Sequence, residues 1–507
     1  MKTSQRWAAL AVLSGALALI SLDNTIVNVA LPSLQQELGA TTSALQWVVD
    51  AYSVVFAGTL LLAGSLGDRF GRRRILIIGL VIFGAGSLAA GFAADTTALT
   101  ICRAVMGVGG AFIMPSTLSI LVQVFREPRE RAQAIGIWAA VAGVVVALGP
   151  IIGGLLLEQF SWHAIFLVNP PLIVLVLLAA LFLVPESKDE SRPQLDMRGA
   201  ALSSLGLIAL VMTIIELPEQ GIATTTILTA VVAAVALTTF VWWEGRAPRP
   251  LLPMSLFRQS TFVVAVVTVG LVYFALMGAM FLLPQFLQLV QDMTPLESGV
   301  ALLPGAGGLF VSSLLSPALA SRLGSRTTVV AGLVLVTTGL ALASFFTAGT
   351  HYSYVAVALG LVGVGMGFSL PQATNAVLGS VPRERAGVGS AVNDAVGELG
   401  GSFGVAILGS LMSVFYRDRI EGSIAALGER VSQVPAEVLE AVRESLASAS
   451  LIAASLPTAE ANVMREATGA AFVTGMTWAL LVGAVIVAVG VMLAWWLFPR
   501  QLEHVAE

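Results

Sequence analysis

Apolar residues run in stretches of about twenty, the length at which a helix crosses a bilayer core of about 30 Å, and polar residues gather in short segments between them. The pattern predicts fourteen spans, near residues 7–31, 44–66, 75–94, 97–124, 133–157, 163–184, 199–216, 223–243, 260–290, 297–320, 327–347, 352–379, 386–415 and 469–498. Basic residues collect in the cytoplasmic loops of membrane proteins, so their placement tests the count. With a cytoplasmic N-terminus, the inner segments hold twenty of the 26 Lys and Arg, including Arg72 to Arg74, Arg383 and Arg385, and the six short outer loops hold none. Both termini are therefore expected in the cytoplasm. The long outer segment 416–468 carries eight acids and five arginines, with helical periodicity from Pro435 to Ala453 that would suit a lid, an outer hairpin or a solvated loop.

The chain also repeats itself. Pro128-Arg129-Glu130-Arg131-Ala132 recurs letter for letter as Pro382-Arg383-Glu384-Arg385-Ala386, 254 residues later, and Leu66-Gly67-Asp68-Arg69-Phe70-Gly71-Arg72-Arg73 is echoed at a spacing of 253 by Leu319-Ala320-Ser321-Arg322-Leu323-Gly324-Ser325-Arg326. Superposing the copies matches spans one to six with nine to fourteen. The expected fold is an all-α membrane protein with fourteen transmembrane helices: a six-helix bundle over 1–185, two inserted helices with polar linkers over 186–258, and a second six-helix bundle over 259–507. Paired bundles with a midplane site between them are the architecture of alternating-access transport.

Composition removes several function classes. Hydrophobic residues make up 57% of 507 and charged residues 11%, against about 25% charged in soluble domains, and mean hydropathy is +0.90. There is no basic stripe for nucleic acid. The one cysteine, Cys102, excludes an intramolecular disulfide, and the three histidines, His163, His351 and His504, are too scattered to suggest a metal site. No nucleotide-cradling Gly-x-x-x-x-Gly-Lys-Ser/Thr loop is present, so ATP-driven pumping is not expected. Lys2 and Arg6 ahead of an apolar run, with Ala16-Leu17-Ala18 as a cleavage site, could suit a signal peptide, but the run continues to Leu31 and is long enough to cross.

Candidate chemistry lies in the ionisable residues inside the spans. A carboxylate near the bilayer centre costs about 2.5 to 3.5 kcal/mol on insertion scales, and Asp23 stands within the first span, with apolar residues on both sides. Asp50 in span two and Arg103 in span four lie at comparable depths, so the three are expected to meet in the outer half of the first bundle. There Arg103 favours a charged carboxylate and burial disfavours it, a balance suited to loading and releasing protons; a static ion pair that fixes packing is the plainer alternative. In span thirteen Asp394 and Glu398 stand four residues apart on one helix face. Like charges so placed cannot both ionise cheaply, and a lipophilic cation would compete with a proton for them. Gly397, Gly400, Gly401 and Gly404 are expected to open space beside them. Tyr273, Phe274, Met277, Met280 and Phe281 in span nine could line a drug pocket or simply pack.

These residues resemble the major facilitator superfamily, specifically its fourteen-span drug/proton antiporters and most closely the quaternary-ammonium multidrug exporters. Residues Leu22 to Pro32 are similar to that group's first-span motif, and Gly64 to Arg74 to the superfamily's loop motif between spans two and three. Arg103 with Gly107 and Gly109 resembles the fourth-span motif. Gly149, Pro150, Gly153 and Gly154 resemble the fifth-span antiporter motif that marks exporters. Asp50, within Trp47 to Tyr52, resembles an acid found in the multidrug members.

The resemblance implies a proton-coupled efflux antiporter for lipophilic, cationic drugs or dyes, working by alternating access in the cell (inner or plasma) membrane. It implies no enzyme activity, no cofactor beyond the coupling proton, no metal, and a monomer. Asp23, Asp50 and Arg103 would couple protons, and Asp394, Glu398, Tyr273, Phe274 and Met277 would bind substrate. Asp68 would work with Arg69, Arg72 and Arg73 as a conformational latch, since even an exposed pair worth about 0 to 1 kcal/mol biases two nearly equal states. The alternatives are a dedicated exporter of one natural-product antibiotic, a nutrient symporter, or a membrane receptor or scaffold without transport.

Overall fold

The structure, a computed structural model, describes residues 3–125, 127–188, 196–247, 254–381, 386–426 and 458–500, with the isolated positions 250, 252, 442, 446 and 449. Most of the outer segment and the second copy of the Pro-Arg-Glu-Arg sequence, residues 382–385, lie outside the described residues. Among the described residues every regular element is helical. In chain order these are α1 (Thr3–Leu38), α2 (Thr42–Phe70), α3 (Arg72–Ala90), α4 (Thr96–Val124), α5 (Pro128–Gln159), α6 (Ala164–Leu167), α7 (Asn169–Leu183), α8 (Met197–Gln220), α9 (Thr224–Glu244), α10 (Ser260–Gln285), α11 (Pro295–Ala301), α12 (Leu303–Leu323), α13 (Ser325–Ala343), α14 (Tyr352–Gly379), α15 (Ala386–Ala426) and α16 (Thr458–Leu497). Among the described residues, twelve helical stretches are long and apolar enough to cross a bilayer.

Local chemistry sets the helix starts. Thr41 accepts from the Ala44 amide at 3.1 Å and Asp95 from the Ala98 amide at 2.7 Å, each occupying a donor that the first turn leaves free. Two predicted spans are interrupted near one end. Pro170 and Pro171 follow the short α6, and a Thr294/Glu297 capping box starts the short α11 ahead of Pro304 and α12. Proline supplies no amide hydrogen, so it suits a fresh first turn and not the middle of an older helix.

The repeat seen in the sequence returns as geometry. Gly71 joins α2 to α3 at φ 115°, and Gly324 joins α12 to α13 at φ 87°, a region that a side chain would strain. Each following amide donates to chain that comes after the last helix of its own copy: Arg72 to the Ser187 carbonyl at 2.8 Å and Ser325 to the Arg500 carbonyl at 3.0 Å. The packing partners correspond as well. α1 lies on α5 as α10 lies on α15, and α4 packs on α2 and α3 as α14 packs on α12 and α13. Glycines allow these approaches where lipid offers no hydrophobic drive; Gly109 sits against the Phe83 backbone, and Gly365 against the Val336 backbone. Contacts from one copy to the other run from α1 to α10, from α2 to α15 and from α5 to α11, and α8 packs on α9, α2 and α15.

Candidate functional site

Asp23 on α1 and Arg103 on α4 form a buried ion pair through Oδ2, with 2% and 1% of each side chain exposed. Arg103 is held from two further sides. Its Nε donates to the Val48 carbonyl at 3.0 Å, and its guanidinium lies over the Tyr52 ring, 4.5 Å from the centroid. Residues 48 and 52 are one turn apart on α2, so a single helix face supplies both contacts.

Asp50 does not join this pair, contrary to the expectation from depth alone. Two residues from Val48 and two from Tyr52, it points about 200° round the helix axis. It faces α15 instead, where the Ser402 hydroxyl donates to its Oδ1 at 2.8 Å; Oδ2 is buried without a hydrogen-bond partner among the described residues. One turn earlier on the same face, Gln46 Nε2 donates to the Ala406 carbonyl at 2.8 Å and to the Val405 carbonyl at 3.1 Å. Matching depth placed three charged groups at one level, but rotation about α2 turned Asp50 away from the other two.

Glu398 on α15 reaches the neighbourhood of Arg103. A cavity of about 30 Å³, room for one or two waters, is lined by Asn24, Ser53, Arg103, Tyr273, Met277 and Glu398, with Val27, Val49, Gly397 and Gly401 completing the wall. It lies where α1, α2 and α4 of one copy meet α10 and α15 of the other. Asp394, one turn before Glu398, is half-buried, and its Oδ1 accepts from Asn393 Nδ2 at 3.2 Å. Asn393 Oδ1 in turn accepts from Thr374 at 3.1 Å.

Of the span-nine residues, Tyr273 and Met277 line this cavity, whereas Phe274 is buried on the next face and its backbone backs onto Gly404. Of the α15 glycines expected to open space, Gly397 and Gly401 border the cavity, between the Tyr273 ring and the Met277 side chain, whereas Gly400 and Gly404 are closed by the Gly270 and Phe274 backbones of α10.

The fifth-span glycines and proline serve two neighbours. Gly149 faces Thr25 and Gly153 faces Ile26, both on α1, while Gly154 abuts Pro295 and Leu296 and the Pro150 carbonyl abuts Gly299, all on α11. In the loop motif the Asp68 side chain lies outside the described residues. Arg69 lies over the Phe70 ring, 5.4 Å from the centroid. The turn docks on the segment after α7, where the Arg73 amide donates to Glu186 Oε1 at 3.1 Å and Arg73 Nη1 to the Val184 carbonyl at 3.2 Å; Arg74 stands 3.8 Å from Glu186.

Sequence reasoning passed over Asn169, Ser87, Tyr52, Gln46 and Ser402. For Asn169 a signal was present, since it is a polar residue in an apolar span just before two prolines. Its Nδ2 donates to Asp23 Oδ1 at 3.1 Å and to Ser87 Oγ at 3.0 Å.

These features define a polytopic helical membrane protein whose charged side chains are buried at the meeting of two repeated halves. The chain belongs to the Major Facilitator Superfamily, whose family model matches residues 13–405, and it is a transporter and not an enzyme. It is 35% identical over 494 residues to the multidrug resistance protein Stp of Mycobacterium tuberculosis, covering 96% of this chain and 91% of that protein. It is 34% identical to the multidrug efflux pump LfrA of Mycolicibacterium smegmatis, covering 96% and 94%, and 30% identical to the methyl viologen resistance protein SmvA of Salmonella typhimurium, covering 92% and 93%. A crystal structure of a bacterial homologue of the human lysosomal transporter Spinster shares the fold, with a TM-score of 0.65 at 17% identity over 98% of this chain and 97% of that one.

Proposed function

We propose that the protein is a proton-coupled multidrug exporter of lipophilic cations, crossing the cell membrane fourteen times with both termini in the cytoplasm and acting as a monomer. In this reading α2 and α5, 29 and 32 residues long, join the twelve apolar stretches as spans. The bundles are 1–185 and 259–507, and α8 and α9 are the inserted pair within 186–258. The observation that carries the reading is Glu398 on the wall of a cavity that Arg103, the ion-pair partner of Asp23, also lines.

A cation entering the membrane loses hydration worth many kcal/mol, and a buried carboxylate is the simplest group that offsets it. Glu398, with Asp394 beside it and Tyr273 and Met277 around it, offers that charge together with an aromatic and a thioether surface. Asp23 and Arg103 carry the coupling proton's site, and Asp50 answers protonation at the seam between α2 and α15. A cavity of about 30 Å³ is far below the 300 Å³ or so of a drug site, so substrate enters when the halves rock apart. Asp68 with Arg69, Arg72 and Arg73 would latch one of the two states at the cytoplasmic face, and the glycines of α5 would let α1 and α11 slide over it. Similarity to relatives named for multidrug efflux and for methyl viologen resistance supports both drug export and a cationic substrate.

The test is proton release from the purified protein on addition of methyl viologen or a cationic dye, with neutral antibiotics for comparison. Proton release by the cations supports the reading. Cation binding with no release at any pH would leave a uniporter or a passive binder.

A further inference from the structure

Asp23 has two oxygens, and the fold commits them to different partners. Oδ2 faces Arg103, and Oδ1 accepts from Asn169 Nδ2 at 3.1 Å. The second hydrogen of the Asn169 amide goes to Ser87 Oγ at 3.0 Å, and Ser87 donates its own proton to the Phe166 carbonyl at 2.8 Å. Ser87 can therefore only accept from Asn169, and the amide cannot turn over without setting its carbonyl oxygen against both the serine lone pairs and the Asp23 carboxylate. Asn169 and Ser87 are fully buried, so water does not relieve the constraint. The break between α6 and α7 places this amide, and the prolines behind it keep the first turn of α7 from moving into α6.

We propose that Asn169 is a positioning residue that fixes the rotation of the Asp23 carboxylate through Oδ1, so that Oδ2 faces Arg103 and a proton taken up by the carboxylate weakens the hold on Arg103. An incoming proton then neutralises the carboxylate and Arg103 leaves it, still cationic. The place open to Arg103 is the cavity it already lines, whose other charged wall residue is Glu398. Arg103 on Glu398 displaces a bound cation, and a cation on Glu398 sends Arg103 back to Asp23 and the proton out. This inference rests on the proposed proton coupling and gives it a route from one half of the protein to the other.

The other ionisable groups around Asp23 do not supply the same control. α2 brings Tyr52, lying under Arg103, and Asp50, bonded to Ser402. α10 brings Tyr273 and α15 brings Glu398, across the cavity. Glu130 of α5 pairs with Arg6 at 2.7 Å at the far end of α1, Glu158 of α5 is exposed, and Glu297 of α11 closes a capping box. Cys102 of α4 is half-buried, and His163, before α6, stacks on Trp162.

The experiment measures cationic dye affinity across a pH series in the wild type, Asn169→Leu, Asp23→Asn and the double variant. Leucine keeps the approximate volume of asparagine and removes both donors. Without the Asn169 donor the carboxylate is free to turn, and proton uptake no longer acts on one fixed contact with Arg103. We expect the affinity gain from about pH 6 to about pH 8 to shrink in either single variant by up to about a hundredfold, the weight of one competing proton over two pH units, and no further in the double. A purely structural role for Asn169 would weaken binding at every pH and leave the slope intact. A wild-type slope in Asn169→Leu alongside a flattened Asp23→Asn overturns the inference alone. A wild-type slope in Asp23→Asn overturns proton coupling at Asp23 and the inference with it. Should Asn169→Leu fail to fold, Ser87→Ala, which removes the acceptor that orients the amide, decides on the same slope.

Discussion

Ser402 on α15 donates its hydroxyl proton to Asp50 on α2 at 2.8 Å, and this bond joins one copy of the repeat to the other. Gln46 repeats the crossing one turn away, and Ser410, close by on α15, donates to the Ile214 carbonyl of α8 at 3.2 Å. Three helices are thus tied along one seam that the proposed alternating access would have to open.

Locking that seam should stop transport. A Cβ at Gly409 would lie 3.0 Å from Gln46 Cγ, close enough for the Cβ to Cβ spacing of about 3.8 Å that a disulfide needs. In a Cys102→Ser background, Gln46→Cys with Gly409→Cys is expected to crosslink on oxidation and lose dye efflux, with recovery on reduction. Full transport by the crosslinked protein would show that α2 and α15 never separate.

Asp23→Asn is expected to abolish gradient-driven efflux while the protein still inserts. The amide oxygen still accepts from Arg103, but the side chain exchanges no proton near neutral pH. Removing one partner of a buried pair costs about 3 to 5 kcal/mol when the remaining charge is stranded, so membrane level and thermal stability must be measured beside transport. Wild-type rates in this variant would remove Asp23 from the mechanism.

The acids of α15 should separate substrates by charge. Asp394→Asn and Glu398→Gln are expected to impair efflux of monovalent cations far more than that of uncharged compounds, because a neutral drug loses much less hydration on entry. The cavity favours Glu398, which lines it, and we expect the order Glu398 before Asp394. Wild-type cation binding should strengthen as pH rises, since a protonated carboxyl offers no charge to the cation. A pH series of dye affinities checks all three; unchanged affinity and slope in both variants would make these acids packing residues.

Topology is tested by impermeant thiol reagents on sealed cells. Gly422→Cys, in the last turns of α15 beyond the expected span 386–415, is expected to label, and Arg73→Cys, in the basic turn after α2, is not. The reverse pattern would overturn the fourteen-span count and the cytoplasmic termini.

The sequence by itself determined how far each residue lies along its helix. Span length and the depth of Asp23, Arg103 and Glu398 follow from the apolar runs and a fixed rise of 1.5 Å per residue, and the repeat and the family resemblance from recurring and recognisable motifs. Rotation about a helix axis and the choice of neighbour do not, because both depend on how side chains far apart in the chain pack together. So Asp23 met Arg103 as expected, but Asp50, at the same depth, turned to Ser402. The glycines of α15, legible as small residues, divided between two roles, Gly397 and Gly401 bordering the cavity and Gly400 and Gly404 bedding α10. Asn169 stood in plain view before two prolines, and only the packing of α7 against α1 and α3 made it the second partner of Asp23.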